Sequence, residues 1–109
     1  MLIRLNPIPR VFDYFTMGFA HQSTQKYEEA IEAYNKCFEL NPDFWPARVG
    51  KVVVYGHMGD KENAKKAISE LHRIDPEFSK SYFLKTMPFK KQSSRDFVGE
   101  GLTKAGLTD

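Results

Sequence analysis

The sequence predicts an all-α protein: antiparallel helical hairpins repeated in tandem as a solenoid and closed by a C-terminal capping helix. Three observations predict it. Displaced by 34 positions the chain matches itself, with Tyr27-Glu28-Glu29-Ala30 falling on Lys61-Glu62-Asn63-Ala64 and Leu40-Asn41-Pro42-Asp43-Phe44 on Ile74-Asp75-Pro76-Glu77-Phe78. Within each copy the apolar residues recur at three- and four-residue spacing, the period of a helix. Each copy also closes on a proline, which lacks the N–H that a helix interior needs and forces the preceding residue out of helical geometry. The copies span 11–44 and 45–78. Residues 1–10 read as the remnant or cap of a preceding repeat, because Leu5-Asn6-Pro7 echoes Leu40-Asn41-Pro42. Residues 79–109 read as a partial third repeat helix followed by the capping helix.

In the first copy, Phe12, Phe15, Met17, Phe19 and Ala20 supply the apolar positions of one helix. Ala30, Ile31, Ala33, Tyr34, Cys37, Phe38 and Leu40 supply those of a second. Ser23-Thr24-Gln25-Lys26 is a polar turn with hydroxyls placed to cap. In the second copy Gly59 and Asp60 do that work, Gly59 by taking a positive φ and Asp60 by capping the next helix. Asn41 and Asp75 mark the stops before Pro42 and Pro76, and Pro46 falls in a first turn, where proline costs little. Small residues matter too: Gly18 and Ala20 allow close helix approach, and Ala30 and Ala64 present small surfaces to their partners. From Ser79 a third first-helix begins and Pro88 cuts it short. The last helix is capped by Ser93 or Ser94, has Asp96 in its first turn, carries Phe97, Val98, Leu102 and Ala105 as its apolar stripe, and stops at Gly106.

With 109 residues, 41% of them hydrophobic, the chain suits one small domain. It contains no apolar run of the ~20 residues a membrane span requires. No export signal is legible at its start. The single Cys37 agrees with a reducing compartment, so the expectation is a cytoplasmic protein. The net charge of +2 is too small to signal nucleic acid. The basic residues that do cluster, Lys80, Lys85, Lys90, Lys91 and Arg95, read as the solvated end of the solenoid ahead of a nucleic-acid site, although Tyr82, Phe83 and Phe89 lie among them.

A 34-residue helix–turn–helix unit with these residues resembles the tetratricopeptide repeat. Counting from Val11, the family's eight signature positions hold Tyr14, Met17, Gly18, His21, Ala30, Tyr34, Cys37 and Pro42. In the second copy they hold Arg48, Lys51, Val52, Tyr55, Ala64, Ile68, Leu71 and Pro76. Arg48 and Lys51 depart from the pattern, and the expectation is that their aliphatic stems pack while their charged heads stay in water. The segment from Met87 to Leu107 also resembles the tails that follow such repeats in bacterial signalling proteins, some of which carry a nucleotide cyclase or a DNA-binding domain. That likeness implies an alternative function: a regulatory or dimerising segment of a larger bacterial protein.

Catalytic chemistry finds little support. His21, His57 and His72 form no i, i+4 pair of the kind a helical zinc site uses, so no metal is expected. Cys37 occupies a packing position and reads as a small buried hydrophobe. Gly56-His57-Met58-Gly59-Asp60-Lys61 lacks phosphate-loop spacing, and Glu28, Glu29 and Glu32 sit on a solvent-patterned helix face. The reading is a non-enzyme without cofactors.

What remains is a surface. The family resemblance implies that first helices line a concave groove and that partner contacts fall on Phe12, Phe15, Phe19, Gln22 and Ser23 in one copy and on Pro46, Val49, Val53, Gly56 and His57 in the other. A groove that clamps a terminal carboxylate needs Lys, Asn or Arg at several of these places. Phe15 and Phe19 stand there instead. The expected function is a protein-interaction or scaffolding module whose partner is a protein or peptide, or a second copy of the chain. The phenylalanine stripe has two readings: an apolar groove with aromatic anchors, or a face covered by a preceding repeat, by the C-terminal helix or by another copy.

Overall fold

The computed structural model describes residues 7–87 and 92–107, with side chains from Arg10 onward, and every regular element among them is a helix. The order is α1 (Pro7–Ser23), α2 (Tyr27–Leu40), α3 (Trp45–Met58), α4 (Lys61–Ile74), α5 (Lys80–Thr86) and α6 (Gln92–Ala105). α1 pairs with α2 and α3 with α4 as two hairpins, and α3 stacks on α2 to join them. The body is elongated, 47 × 29 × 27 Å.

Local chemistry explains the helix ends. Asn41 and Asp75, each ahead of a proline, adopt extended or non-helical backbone and their N–H groups donate back to the carbonyls of Cys37 and Leu71. Gly59 sits at φ 76°, the left-handed conformation in which a Cβ would be strained. Asp60 then caps α4 by accepting from the Asn63 N–H at 3.2 Å. The equivalent turn of the first repeat works differently from expectation. Ser23 and Thr24 donate their hydroxyls back to the carbonyls of Phe19 and Ala20, so they close α1, and Lys26 at the start of α2 offers no side-chain cap. Gln25 takes the positive φ of 65° there, without glycine. α6 starts at Gln92, which places Ser93 and Ser94 inside the helix and Asp96 beyond its first turn. α1 begins at Pro7, so residues 7–10 form its first turn, where prolines are tolerated. Residues 1–6 and 88–91, with Pro88, Phe89, Lys90 and Lys91, lie outside the described residues.

Two cores share α3. Val11, Ala30, Tyr34, Cys37, Ala47 and Val54 fill the space among α1, α2 and α3. Val49, Val52, Val53, Ala64, Ala67, Leu71 and Phe78 meet Val98, Leu102, Ala105 and Leu107 to fill the other, among α3, α4 and α6. The Tyr34 ring is the wedge between the first helices of the two hairpins: a Cβ added to Gly18 on one side or to Gly50 on the other would come within 2.5 Å of it. Gly18 thus allows the expected close approach, whereas Ala20 is exposed. Cys37 is fully buried, donates its thiol to the Val11 carbonyl at 3.5 Å, and has its pKa pushed up to about 11 by burial, as an inert packing residue should.

The two departures from the repeat pattern turn out to fasten the hairpins together. Arg48 lays its guanidinium over the Phe38 ring at 3.7 Å, pairs with Glu70 of α4 and donates to the Pro42 carbonyl at 3.2 Å. Its side chain is only 12% exposed, so the expectation of a head in water fails for it. A planar guanidinium can stack on an aromatic face and bond at its edge together, which explains why arginine suits a packing position. Lys51 is half-buried beside Phe38 and Tyr55, and burial lowers its pKa.

Candidate functional site

The groove is expected on α1 and α3, and the chain itself covers part of that expected face. α5, the third first-helix by register, does not stack as a third repeat; among the helices its backbone approaches α6 alone. α6 instead lies along α3. A Cβ on Gly56 would fall 2.0 Å from the Gly101 carbonyl oxygen, and one on Gly101 would strike Val53 and His57, so the two backbones touch because both residues are glycine. His57 stacks on the Phe97 ring at 3.9 Å between centroids, and its Nε2 lies 2.8 Å from the Phe97 carbonyl. A carbonyl can only accept, so that nitrogen carries the proton. Of the groove positions expected in the second repeat, Val49 and Val53 are therefore buried and His57 is engaged by α6.

The first-repeat half stays open. Phe12 is 51% and Phe19 36% exposed, while Phe15 is half-buried between Tyr34 and an edge-on contact with Phe44. Phe12 also meets the Phe44 ring edge-on, with centroids 5.5 Å apart. Gln22, expected at the surface, is 2% exposed: its amide oxygen accepts the Tyr34 hydroxyl at 2.8 Å. Burial raises the Tyr34 pKa strongly, which keeps that phenol protonated and donating. Ser23 is exposed and turned to the Phe19 carbonyl. The structure thus gathers Phe15, Phe19, Gln22, Val49 and Val53 and leaves Phe12, Ser23 and His57 on their margins.

Between the open and covered halves lies a cavity of about 210 Å³. Phe15 and Phe19 of α1, Val49 and Val53 of α3, and Phe83, Met87 and Val98 from the C-terminal segment wall it. The sequence marks Phe83 and Met87 as parts of a truncated helix, Phe83 also as an aromatic amid the basic cluster, and Val98 as part of a capping stripe. Their apolar character was visible; the direction in which α5 and α6 fold back was not. Trp45 stands at the neighbouring rim, 41% exposed and edge-on to Phe83. The walls are apolar apart from Tyr34 and Gln22, whose polar ends are bonded to each other, and no cluster of metal-ligating side chains occurs among the described residues. No helix among them is long and apolar enough to cross a membrane. Of the basic cluster, Lys80 donates to the Thr103 hydroxyl and Arg95 to the Leu84 carbonyl, both fastening α5 to α6.

The comparisons with known proteins agree with this architecture. The family model described as the tetratricopeptide repeat matches residues 13–44, the first hairpin from Asp13 to the residue before α3. The chain is 33% identical over 65 residues to small glutamine-rich tetratricopeptide repeat-containing protein 2 of Mycosarcoma maydis; the match covers 60% of this chain and 18% of that protein. The chain therefore spans under a fifth of that relative's length. No solved structure matches it. Residues 13–44 thus match the tetratricopeptide repeat, and with two stacked hairpins the chain has a tetratricopeptide-like, all-α helical-repeat fold.

Proposed function

We propose that this chain is a non-catalytic protein-interaction module that receives a peptide in the open, first-repeat half of its groove, with one large apolar side chain of the peptide seated in the cavity beside Phe15 and Phe19. Tetratricopeptide repeats generally mediate protein–protein interaction. The observation that carries the reading is the cavity itself. Its 210 Å³ exceeds the ~150 Å³ that takes a benzene ring in an apolar protein cavity and falls short of the 300–1,000 Å³ of small-molecule pockets. One aromatic or long aliphatic side chain fits that size. The flanking Phe12, Phe19 and Trp45 would shield such an anchor from water, which is the usual anatomy of a binding hot spot.

The site favours an internal apolar anchor over a terminal carboxylate, because its walls offer no cation to pair with one. A displayed library of random peptides selected against the intact chain tests this, with Trp45 fluorescence reporting binding of the selected peptides. The expected result is enrichment of sequences sharing one Leu, Met, Phe or Trp, whose replacement by Ala weakens binding at least tenfold and which no longer bind Phe19→Glu. Peptides that depend on a free C-terminal carboxylate, or that bind Phe19→Glu undiminished, would overturn the proposal.

A further inference from the structure

α1 has a second uncovered face, distinct from the groove. Asp13, Tyr14, Met17, Ala20 and His21 follow one another at helical spacing, with Tyr14 at the edge where this face meets the core of Val11, Tyr34 and Cys37. Met17 is 49% exposed, Asp13 and Ala20 are exposed, and Tyr14 and His21 are half-buried. The 34-residue register shows what such a face does elsewhere in the molecule. Its equivalents on α3 are Ala47, Arg48, Lys51, Val54 and Tyr55, and α2 covers them: Phe38 lies under Arg48 and Lys51, while Ala47 and Val54 enter the core with Ala30, Tyr34 and Cys37. The same surface is a helix-docking face in one repeat and bare in the other. Composition points the same way, since the 17 residues of α1 include only Arg10 and Asp13 as fully charged side chains, and a helix apolar on nearly every side is ordinarily buried.

We infer that the missing helix is α1 of a second copy, packed antiparallel across a two-fold axis at Met17. The stripe is self-complementary about that residue. In an antiparallel pair, the residue four positions before Met17 faces the residue four positions after it in the partner, which sets the Asp13 carboxylate against the His21 imidazole. Three positions out, the large Tyr14 meets the small Ala20. Both pairings occur twice, as an isologous interface requires. Ala20, small and exposed, leaves room for the helices to approach. α1 is about 25 Å long, so the contact is small among specific interfaces and its affinity modest.

Two experiments on the intact chain decide it. In the first, Met17→Cys forms a disulfide-linked dimer under mild oxidation while Met58→Cys, exposed at the far end of α3, stays monomeric; only residues at the axis come within the ~4.4–6.8 Å that a disulfide allows between Cα atoms. In the second, light scattering up to about 300 μM, a range set by the small contact, shows a concentration-dependent dimer. Asp13→Lys weakens that dimer at least tenfold, and adding His21→Asp to it restores association, with helicity unchanged throughout. Restoration by the reversed pair cannot come from damage to the fold. A chain that remains monomeric over the whole range, equal cross-linking at Met17 and Met58, or a dimer abolished by Phe12→Glu with Phe19→Glu and indifferent to Asp13→Lys would overturn the inference.

Discussion

α1 and α3 occupy the same place in successive repeats, 34 residues apart, and both are apolar on more than one side, yet their surroundings differ. α3 is enclosed by α2, α4 and α6, and seven of its fourteen residues are buried. α1 has α2 along one side, touches α3 slightly, and exposes Phe12, Met17 and Phe19. The difference teaches that a repeat helix does not carry its own burial: its neighbours confer it. Where a helix of the same chain supplies the neighbour, the apolar face becomes core. Elsewhere the same kind of face stays exposed.

Substitutions on the two helices break the comparison most sharply. The largest effect is expected at the α3–α6 crossing, where Gly56→Ala drives a methyl into the Gly101 carbonyl with no flexible side chain to yield. Urea unfolding should show a loss of about 3 kcal/mol. Thr16→Ala on the exposed side of α1 should stay within about 0.5 kcal/mol. A loss at Thr16 comparable to that at Gly56 would mean that α1 is enclosed after all.

Next come Val53 and Phe19, which share one register position. Val53→Ala removes buried methyls beneath α6 and should destabilise by about 2 kcal/mol. Phe19→Ala removes a larger side chain, but a partly exposed one, and should cost under about 1 kcal/mol of stability while abolishing capture of the selected peptides. The buried member of the pair is thus read by unfolding and the open member by binding.

The smallest effects lie at the turns between paired helices. Lys26 and Asp60 have nearly the same backbone angles, φ −90° and ψ 73° against φ −87° and ψ 83°, yet only Asp60 caps. Lys26→Ser should supply the missing cap, with Glu29 three residues on to complete a capping box, and raise stability by about 1 kcal/mol. Asp60→Ala should lower the unfolding midpoint, and pH should reveal why. Bonds from the Asn63 side chain and then its backbone hold the Asp60 carboxyl below its ordinary value of 3.8. A carboxyl depressed by folding stabilises above its unfolded pKa and loses that effect as pH falls through its folded value. The gap between the wild type and Asp60→Ala should accordingly be full near neutrality and close below about pH 4.

The hairpins themselves were legible because their signals are short-range. Pro42 and Pro76 stop helices through their own rings, Gly59 turns the chain through its missing Cβ, and Ala30 and Ala64 mark close packing by size alone. The first turn misled because Ser23 and Thr24 can bond backward to α1 as readily as forward to α2, and the side-chain chemistry does not distinguish the two. Arg48 misled because charge suggests water, and only the nearness of Phe38, Pro42 and Glu70 makes burial the better arrangement. The apolar stripe of Phe12, Phe15 and Phe19 was legible; the wall that Phe83, Met87 and Val98 set beside Phe15 and Phe19 was not.

By itself, then, the sequence determined the helix count, the 34-residue pairing and the apolar stripe on each helix, since each depends on residues within a few turns of one another. The tertiary structure alone decided which stripe meets which. The stripe of α6 would suit several apolar faces, and its place on α3 rests on Gly56 meeting Gly101 with His57 against Phe97, contacts between residues 40 or more positions apart. Close packing between distant segments depends on shape at the scale of a single methyl group. That dependence buried Val49 and Val53 of α3 and left Phe12 and Phe19 of α1 exposed.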